Sequence, residues 1–342
     1  ETELDRALVI DPRDVEALAR QVMSAEEWAR FAAAPEFNAA RTVEGAGRFR
    51  INIYRQRNEV AMVVRYLKSR IPAFTELGLP RLLEDLVMTK RGLVLIVGAA
   101  GSGKSTTLAA MVEFRNTHET GHILTIEDPI EFIYEHKKSI VDQREVGVDT
   151  LSFAEALRNA MREAPDVIVV GEIRDRDTMQ HAIAYAETGH LCLSTLHANN
   201  ANQALERVIN FFPEEAHRQL LMDLSLNLKA VISQRLIAGL SQKLVPAIEI
   251  LLNTPYIADL MQKGRPDEIK AVMAKSVELG MRTFDQSLYD LYMDHRISYE
   301  EAMRNADSRT DLALRVRLSI GKHAEDALPL GLAEWRKPED HG

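Results

Sequence analysis

Residues 98–106 combine glycines, a lysine and hydroxyl side chains in an order that can bind a nucleoside triphosphate. Glycines let the backbone curl so that successive N–H groups face a phosphate, and a following helix presents its positive end. We expect Lys104 to contact the β- and γ-phosphates and Ser105 to ligate Mg²⁺. The candidate phosphate-binding residues, which fit the pattern GxxxxGK[ST] and continue one residue beyond it, are Gly98, Ala99, Ala100, Gly101, Ser102, Gly103, Lys104, Ser105 and Thr106.

Carboxylates follow two other apolar runs of the chain. Glu172 comes after the run 166–170, and a carboxylate there can hold a Mg²⁺-bound water or orient an attacking one. Glu127, Asp128 and Glu131 follow the run 122–126, at the end of a strand where open α/β sheets bind ligands. The alternative interpretation of Glu172 is a surface glutamate after a core strand, and that of the acidic segment 127–131 is a solvated turn.

Histidines and arginines complete the candidate chemistry. His190 precedes the run 191–194 and His197 follows it, so at least one of them could hydrogen-bond a γ-phosphate, although a lone histidine is more often structural. An arginine could offset the charge of the transferring phosphoryl group. The candidate arginines are Arg174, Arg176, Arg144, Arg48, Arg50, Arg55, Arg57 and Arg65.

The elements that would position these side chains alternate in type. An amphipathic helix is predicted at 152–162, and the pattern beyond about residue 205 is mostly helical, interrupted at 248–252. The short apolar runs are typical of buried parallel strands and lie at 93–97, 122–126, 166–170 and 191–194. Because strands alternate with helices, we predict right-handed crossovers and an α/β fold with a doubly wound, mainly parallel sheet.

A smaller α+β unit is predicted ahead of this sheet. Ser24 and Glu27 have capping-box spacing and indicate a helix over 24–33. The runs 48–54 and 60–66 read as two strands of a hairpin, since they are rich in alternating or β-branched apolar residues.

Composition limits the classes of partner. The 342 residues carry 42 Lys+Arg against 51 Asp+Glu, a net charge of −9, so we expect no nucleic-acid partner and give little weight to a DNA translocase. The single cysteine, Cys192, excludes a disulfide or a Cys-ligated zinc site within one chain and fits a reducing, cytosolic setting. No apolar run approaches the roughly 20 residues that span a bilayer, so no integral membrane segment is expected.

Four segments in order resemble the secretion ATPase superfamily, and within it the PilT/PilU family of type IV pilus retraction ATPases, with the PilU branch the more similar. The phosphate loop matches the family's Walker A motif, and the similarity runs from about residue 46 to about residue 320. The segments that resemble the Asp box, Walker B and His box are LTIEDPIEF, APDVIVVGEIRD and AETGHLCLSTLHANNANQALERVINFFP.

The resemblance implies ATP and Mg²⁺ as cofactors and roles for the site residues. Glu131 would be the general base and Glu172 the Walker B acid near Mg²⁺, with His190 and His197 in the His box and Arg174 beside Glu172. It also implies a homohexamer in which one of Arg50, Arg55 and Arg65 reaches a nucleotide. The implied units are an incomplete PAS-like α+β domain (1–71), a linker (72–86), a RecA-like ATPase domain (87–320) and a disordered tail (321–342).

The function that the resemblance implies is ATP hydrolysis in a motor subunit for type IV pilus retraction and twitching motility. PilT proteins carry Ala-Ile-Arg-Asn-Leu where this chain has the segment 256–260, Tyr-Ile-Ala-Asp-Leu, which favours an accessory to a PilT-type motor. The implied setting is cytoplasmic and peripheral at the inner membrane, beside a pilus platform protein. The alternatives are a weakly or non-catalytic ring subunit, and a pilus assembly or type II secretion ATPase, which usually carries a tetracysteine zinc module.

Overall fold

The computed structural model describes residues 10–67 and 70–323. Its strands are β1 (Glu36–Val43), β2 (Gly47–Gln56), β3 (Glu59–Leu67), β4 (Gly92–Val97), β5 (Gly121–Glu127), β6 (Ser139–Glu145), β7 (Val167–Val170), β8 (Leu191–Leu196), β9 (Leu228–Ala238) and β10 (Leu244–Leu252). Its α-helices are α1 (Pro12–Val22), α2 (Ala25–Ala33), α3 (Phe74–Leu77), α4 (Leu82–Val87), α5 (Lys104–His118), α6 (Phe153–Ala160), α7 (Arg176–Glu187), α8 (Ala201–Asn210), α9 (His217–Asn227), α10 (Pro255–Gln262), α11 (Ile269–Lys275), α12 (Phe284–Met293), α13 (Tyr299–Asn305) and α14 (Arg309–His323).

The larger sheet has seven strands in the order β10-β9-β4-β8-β7-β5-β6. All neighbouring pairs are parallel except β9 and β10, which are antiparallel. Both faces of the sheet are covered, because Leu93, Leu95 and Val97 of β4 belong to one apolar core while Val94 and Ile96 belong to another. The predicted α/β fold with a mainly parallel sheet is confirmed.

Two strands of this sheet were not predicted, and one replaces a predicted helical region. The mostly helical prediction beyond residue 205 is wrong for β9 and for the part of β10 ahead of residue 248. Leu228, Val231 and Ile232 have helix-like spacing, but β9 is buried on both faces and therefore shows no alternation of apolar and polar residues. In β6, polar side chains interrupt the apolar positions and hide the strand.

The smaller sheet is antiparallel, with strand order β1-β2-β3, and it shares an apolar core with α1 and α2. The helix predicted over 24–33 is confirmed as α2, and Ser24 and Glu27 form the expected capping box. The predicted turn between β2 and β3 contains Arg57 and Asn58, both with positive φ. Strand β1 was not predicted.

The segment between the two sheets is partly built into the larger core. Phe74, Leu83, Leu86 and Val87 lie in the same apolar cluster as Val94 of β4, so the region predicted as a linker, 72–86, packs beside the sheet. The predicted tail falls outside the described residues from 324 onward. Within the described residues, none of the helices combines the length and the apolar character required to span a membrane.

Candidate nucleotide-binding site

A cavity of about 250 Å³ lies where the carboxyl ends of β4, β5, β7 and β8 meet at one edge of the larger sheet. Parallel strands place the loops that follow them at the same edge, which is why segments far apart in sequence converge there. The polar and charged side chains that line the cavity are Lys104, Ser105, Glu127, Asp128, Glu131, Tyr134, Glu172, Arg174, Thr195 and His197.

The phosphate loop connects β4 to α5, and its backbone takes up positive φ angles at two glycines. Gly101 and Gly103 have φ values of +75° and +88°, in a region that other residues rarely adopt. A Cβ atom on Gly98 would lie only 2.5 Å from the carbonyl oxygen of Gln234, so a larger residue cannot stand there. Because α5 begins at Lys104, its free N–H groups face the loop, and the cradle fits a phosphate group.

Lys104 is only 8% exposed and lies against the loop. Its Nζ donates to the carbonyl oxygens of Gly98 and Ala99, both at 2.9 Å. Burial lowers the pKa of the Lys104 ammonium, while the negative charges of Glu172 and Glu131 act in the opposite direction. The structure thus brings the predicted lysine and both predicted carboxylates into one electrostatic group.

Glu172 is held between two basic side chains. Its Oε2 accepts from Arg174 Nε at 2.7 Å, and its Oε1 lies 2.9 Å from His197 Nε2. Arg174 also donates to Asp128 at 3.3 Å. Hydrogen bonding to Glu172 is the main reason that the pKa of the Arg174 guanidinium is raised. Four residues singled out from the sequence are therefore linked, because Glu172 contacts Arg174 and His197, and Arg174 contacts Asp128.

The two glutamates that follow β5 have different surroundings. The Glu127 carboxylate accepts from Thr125 Oγ1 at 2.7 Å and from Gln143 Nε2 at 3.2 Å, and burial raises its pKa. Glu131 lines the cavity with an exposed side chain. Glu131 is therefore placed to meet a molecule in the cavity, whereas Glu127 is fixed by its neighbours.

His190 lies at the opposite edge of the sheet. Its Nδ1 is 3.1 Å from Thr188 Oγ1 and 3.2 Å from the Tyr185 carbonyl oxygen, and its own carbonyl accepts from the amide of Gly92. The six residues of β8 separate it from the cavity by ~20 Å at the usual strand rise. Within one chain, the structure does not bring His190 to the predicted site; of the two candidate histidines, His197 alone lines the cavity.

Three of the other candidate arginines have contacts outside the cavity. Arg144 pairs with Glu163 at 2.8 Å, outside the cavity. Arg176 lies over the Phe212 ring, and Arg55 lies over the Phe31 ring. These contacts give each of the three arginines a local structural role.

Arg50 and Arg65 stand directly opposite each other on β2 and β3. Because side chains alternate along a strand, both lie on the face of the small sheet that is turned away from the core residues Ile51 and Ile53. Like charges directly opposite each other destabilise a strand pair, so an anion on this face would be favourable.

Two glutamines that support the site were not predicted from the sequence. Gln143 holds Glu127, and Gln234 lies against the phosphate loop. Both belong to strands, β6 and β9, that the pattern did not predict, and no local motif marks either glutamine.

Comparison with known proteins gives a consistent result. The family described as "Type II/IV secretion system protein" matches residues 36–278. The type IV pilus ATPase PilU of Pseudomonas aeruginosa is 53% identical over 319 residues, covering 92% of this chain and 83% of that protein. The type IV pilus retraction ATPase PilT of the same organism is 41% identical over 297 residues, covering 87% of this chain and 86% of that protein. A crystal structure of the pilus retraction motor PilT with bound ADP has a TM-score of 0.83 at 42% identity, covering 88% of this chain and 86% of that one.

These similarities span both sheets of the molecule and the whole of the cavity. The resemblance to the PilT/PilU family, inferred from the sequence motifs, is confirmed. So is the expectation of an ATPase, since both relatives are ATPases by name and the similar pilus retraction motor was crystallised with ADP. The chain belongs to the type II/IV secretion system protein family, among relatives of PilU and PilT.

Proposed function

We propose that this chain is an ATP-hydrolysing motor subunit for type IV pilus retraction, acting as a PilU-like accessory to a PilT-type motor. The observation that carries the proposal is the cavity in which the buried Lys104 ammonium lies within the electrostatic reach of Glu131 and Glu172. The similarity to the type IV pilus ATPase PilU over 92% of the chain, and to the pilus retraction ATPase PilT over 87%, supports the assignment to pilus retraction.

The phosphate loop would hold the triphosphate of ATP. The backbone of residues 98–106 surrounds the phosphates, and Lys104 exchanges its bonds to the carbonyls of Gly98 and Ala99 for bonds to phosphate oxygens. Ser105 and Glu172, the latter through water, present the oxygen ligands that Mg²⁺ prefers. Bound Mg²⁺ would neutralise part of the phosphate charge.

Glu131 would act as the general base. Its exposed carboxylate accepts a proton from a water molecule, whose oxygen then bonds to the γ-phosphorus while the bond to the β–γ bridging oxygen breaks. The products are ADP and inorganic phosphate. Arg174 and His197 hold both oxygens of Glu172 and so fix the side chain beside the phosphates.

The ring that we propose is a homohexamer, with a PAS-like N-terminal domain and a RecA-like ATPase domain in each subunit. Arg50 and Arg65 are better placed than Arg55 to meet the nucleotide of a neighbouring subunit, because Arg55 is engaged with the Phe31 ring. Closure between the domains would transmit the energy of ATP hydrolysis to the pilus machinery.

We further propose that the ring acts in the cytoplasm, against an inner-membrane pilus platform protein and beside a PilT-type motor. The accessory role rests on the segment 256–260, which departs from the PilT pattern. On α10 this segment exposes Tyr256 and pairs Asp259 with Lys263 at 2.6 Å, so its surface differs from one that presents Arg and Asn.

The proposal is tested by measuring phosphate release from Mg²⁺·ATP by the purified ring. We expect Lys104→Ala and Glu131→Gln each to lower the rate by at least about 100-fold, the usual size for a lost general base or charge stabiliser. Glu135→Gln is the matched control, because Glu135 lies four positions beyond Glu131, is exposed and does not line the cavity. An intact parent ring that binds ATP and releases no phosphate would instead support the nucleotide-binding, non-catalytic alternative.

A further inference from the structure

Gln234 is a buried polar residue that the proposed chemistry does not use. It lies on β9, is 3% exposed, and is surrounded by the phosphate loop and the first turns of α5. A buried amide lowers stability unless its polar atoms find partners, so its contacts call for an explanation beyond space filling.

Gln234 contacts the phosphate loop at both of its ends. Its backbone carbonyl oxygen lies 2.5 Å from the position that a Cβ on Gly98 would take, and its side-chain Nε2 lies 2.7 Å from the same position on Gly103. Its Oε1 accepts a hydrogen bond of 2.6 Å from Thr107 Oγ1, and Thr107 is 1% exposed. One residue thus touches the first glycine, the last glycine and the helix that follows them.

The strand pairing explains how Gln234 reaches this place. β9 is parallel to β4, and Val97, the last residue of β4, has Ser233 as its register partner. Gln234 is the next residue of β9, so it lies beside the loop at the point where the chain leaves β4. Its position relative to the loop is therefore fixed by the sheet itself.

We propose that Gln234 is a positioning residue that holds the phosphate loop in its nucleotide-binding shape through Thr107. This inference rests on the proposed function, because it concerns the same loop. It also helps to explain two glycines. Gly103 combines a positive φ with the close approach of the Gln234 amide, whereas a Cβ on Gly98 would meet both the Gln234 carbonyl oxygen and the Ser102 side chain. Gln234 contacts the loop and not the reacting atoms, so it is not a catalytic residue.

The test compares variants that remove the Gln234–Thr107 hydrogen bond with variants that keep it. Gln234→Leu and Thr107→Val preserve approximate size and remove the bond, whereas Thr107→Ser keeps the hydroxyl. Ser139→Ala is the matched control: Ser139, at the start of β6, is also buried and donates at 2.7 Å, but to the carbonyl oxygen of Glu119, just after α5. The readouts are the Kd for ADP, phosphate release, thermal unfolding, and hydrogen exchange of the amides of residues 98–105 without nucleotide.

We expect Gln234→Leu and Thr107→Val each to raise the Kd for ADP about tenfold, with no further increase in the double variant, because both remove the same bond. Amides of residues 98–105 should exchange faster in both. Thr107→Ser and Ser139→Ala should stay within about twofold of the parent Kd. A parent ring that binds ADP but does not hydrolyse ATP would refute the hydrolysis proposal while these differences still support the role of Gln234.

Three results would overturn the inference. The first is that Gln234→Leu and Thr107→Val both show the same Kd for ADP and the same exchange rates as the parent. The second is an equal loss of ADP binding in Ser139→Ala, which would point to general destabilisation. The third is a parent chain that binds no ADP, which would refute the proposed function and this inference together.

Discussion

The two ends of β8 carry similar sequences in different surroundings. Thr188-Gly-His190 precedes the strand, and Thr195-Leu-His197 ends it. His197 lies 2.9 Å from Glu172 in the cavity, whereas His190 contacts the Tyr185 carbonyl and a threonine hydroxyl. Strand direction therefore decides which histidine can meet a nucleotide, because ligands bind at the carboxyl ends of the strands in a parallel sheet.

The largest difference between the two edges is expected for carboxylates. Glu172→Gln removes the charge that Arg174 and His197 hold and should lower phosphate release by about 100-fold or more. Glu187→Gln changes an exposed glutamate at the end of α7, near the other edge, and should leave the rate within about twofold. Equal losses in the two variants, with rings intact, would remove the distinction between the edges.

Substitution of each histidine tests the same comparison between the two edges, with a smaller expected effect on phosphate release. His197→Asn leaves one oxygen of Glu172 with a poorer partner and should lower phosphate release by about tenfold, since one charge-assisted hydrogen bond is lost. His190→Asn should change the rate less than twofold. A strong loss in His190→Asn at normal stability would show that His190 reaches the site of a neighbouring copy.

The pH dependence of stability tests a carboxylate that supports the loop after His197. Glu249 is buried, accepts from the Ala201 amide at 2.8 Å and from Ser233 Oγ at 3.1 Å, and burial raises its pKa. Between the ordinary glutamate pKa and the raised pKa of the folded state, Glu249 therefore holds a proton in the folded chain that it has released in the unfolded chain. Stability is lost as the pH rises from the ordinary pKa through the folded pKa.

Glu249→Gln removes this titration, so the free energy of unfolding should fall less steeply with rising pH than in the parent. Urea unfolding at several pH values between about 4.5 and 8 measures the two slopes. The same slope in both proteins would mean that Glu249 does not titrate in this range.

The smallest effect concerns the cap of α2, which packs against the smaller sheet. Ser24→Ala removes the hydroxyl that accepts from the Glu27 amide in the capping box on α2 and should lower the free energy of unfolding by ~1 kcal/mol. Ser276→Ala is the control, since the Ser276 side chain caps no helix in the part of the chain that the structure describes. Phosphate release should be unchanged in both, and a large loss in Ser24→Ala would connect this helix to the site.

The residues that could be predicted are those whose role is local in sequence. The phosphate loop is one continuous segment, and Ser24 with Glu27 signals a helix start within four residues. Glu172 and Glu131 could be placed at one edge because each follows an apolar run that forms a parallel strand.

The residues that could not be predicted depend on contacts between distant segments. The Gln234–Thr107 bond joins positions 127 apart in the chain, and it requires β9, whose apolar residues have helix-like spacing. His190 satisfied the same motif as His197, and only the direction of β8 separates them. Pairing between strands, rather than any pattern within one strand, supplies this information.

In the proposed mechanism, Glu131 activates water for hydrolysis at the phosphate loop. The most direct measurement loads parent, Glu131→Gln and Glu135→Gln rings with radiolabelled ATP and Mg²⁺ and follows the ratio of bound ATP to ADP in a single turnover. We predict that the parent and Glu135→Gln form ADP, while Glu131→Gln binds ATP and retains it unhydrolysed at least about 100 times longer. Formation of ADP by Glu131→Gln at the parent rate would contradict the account.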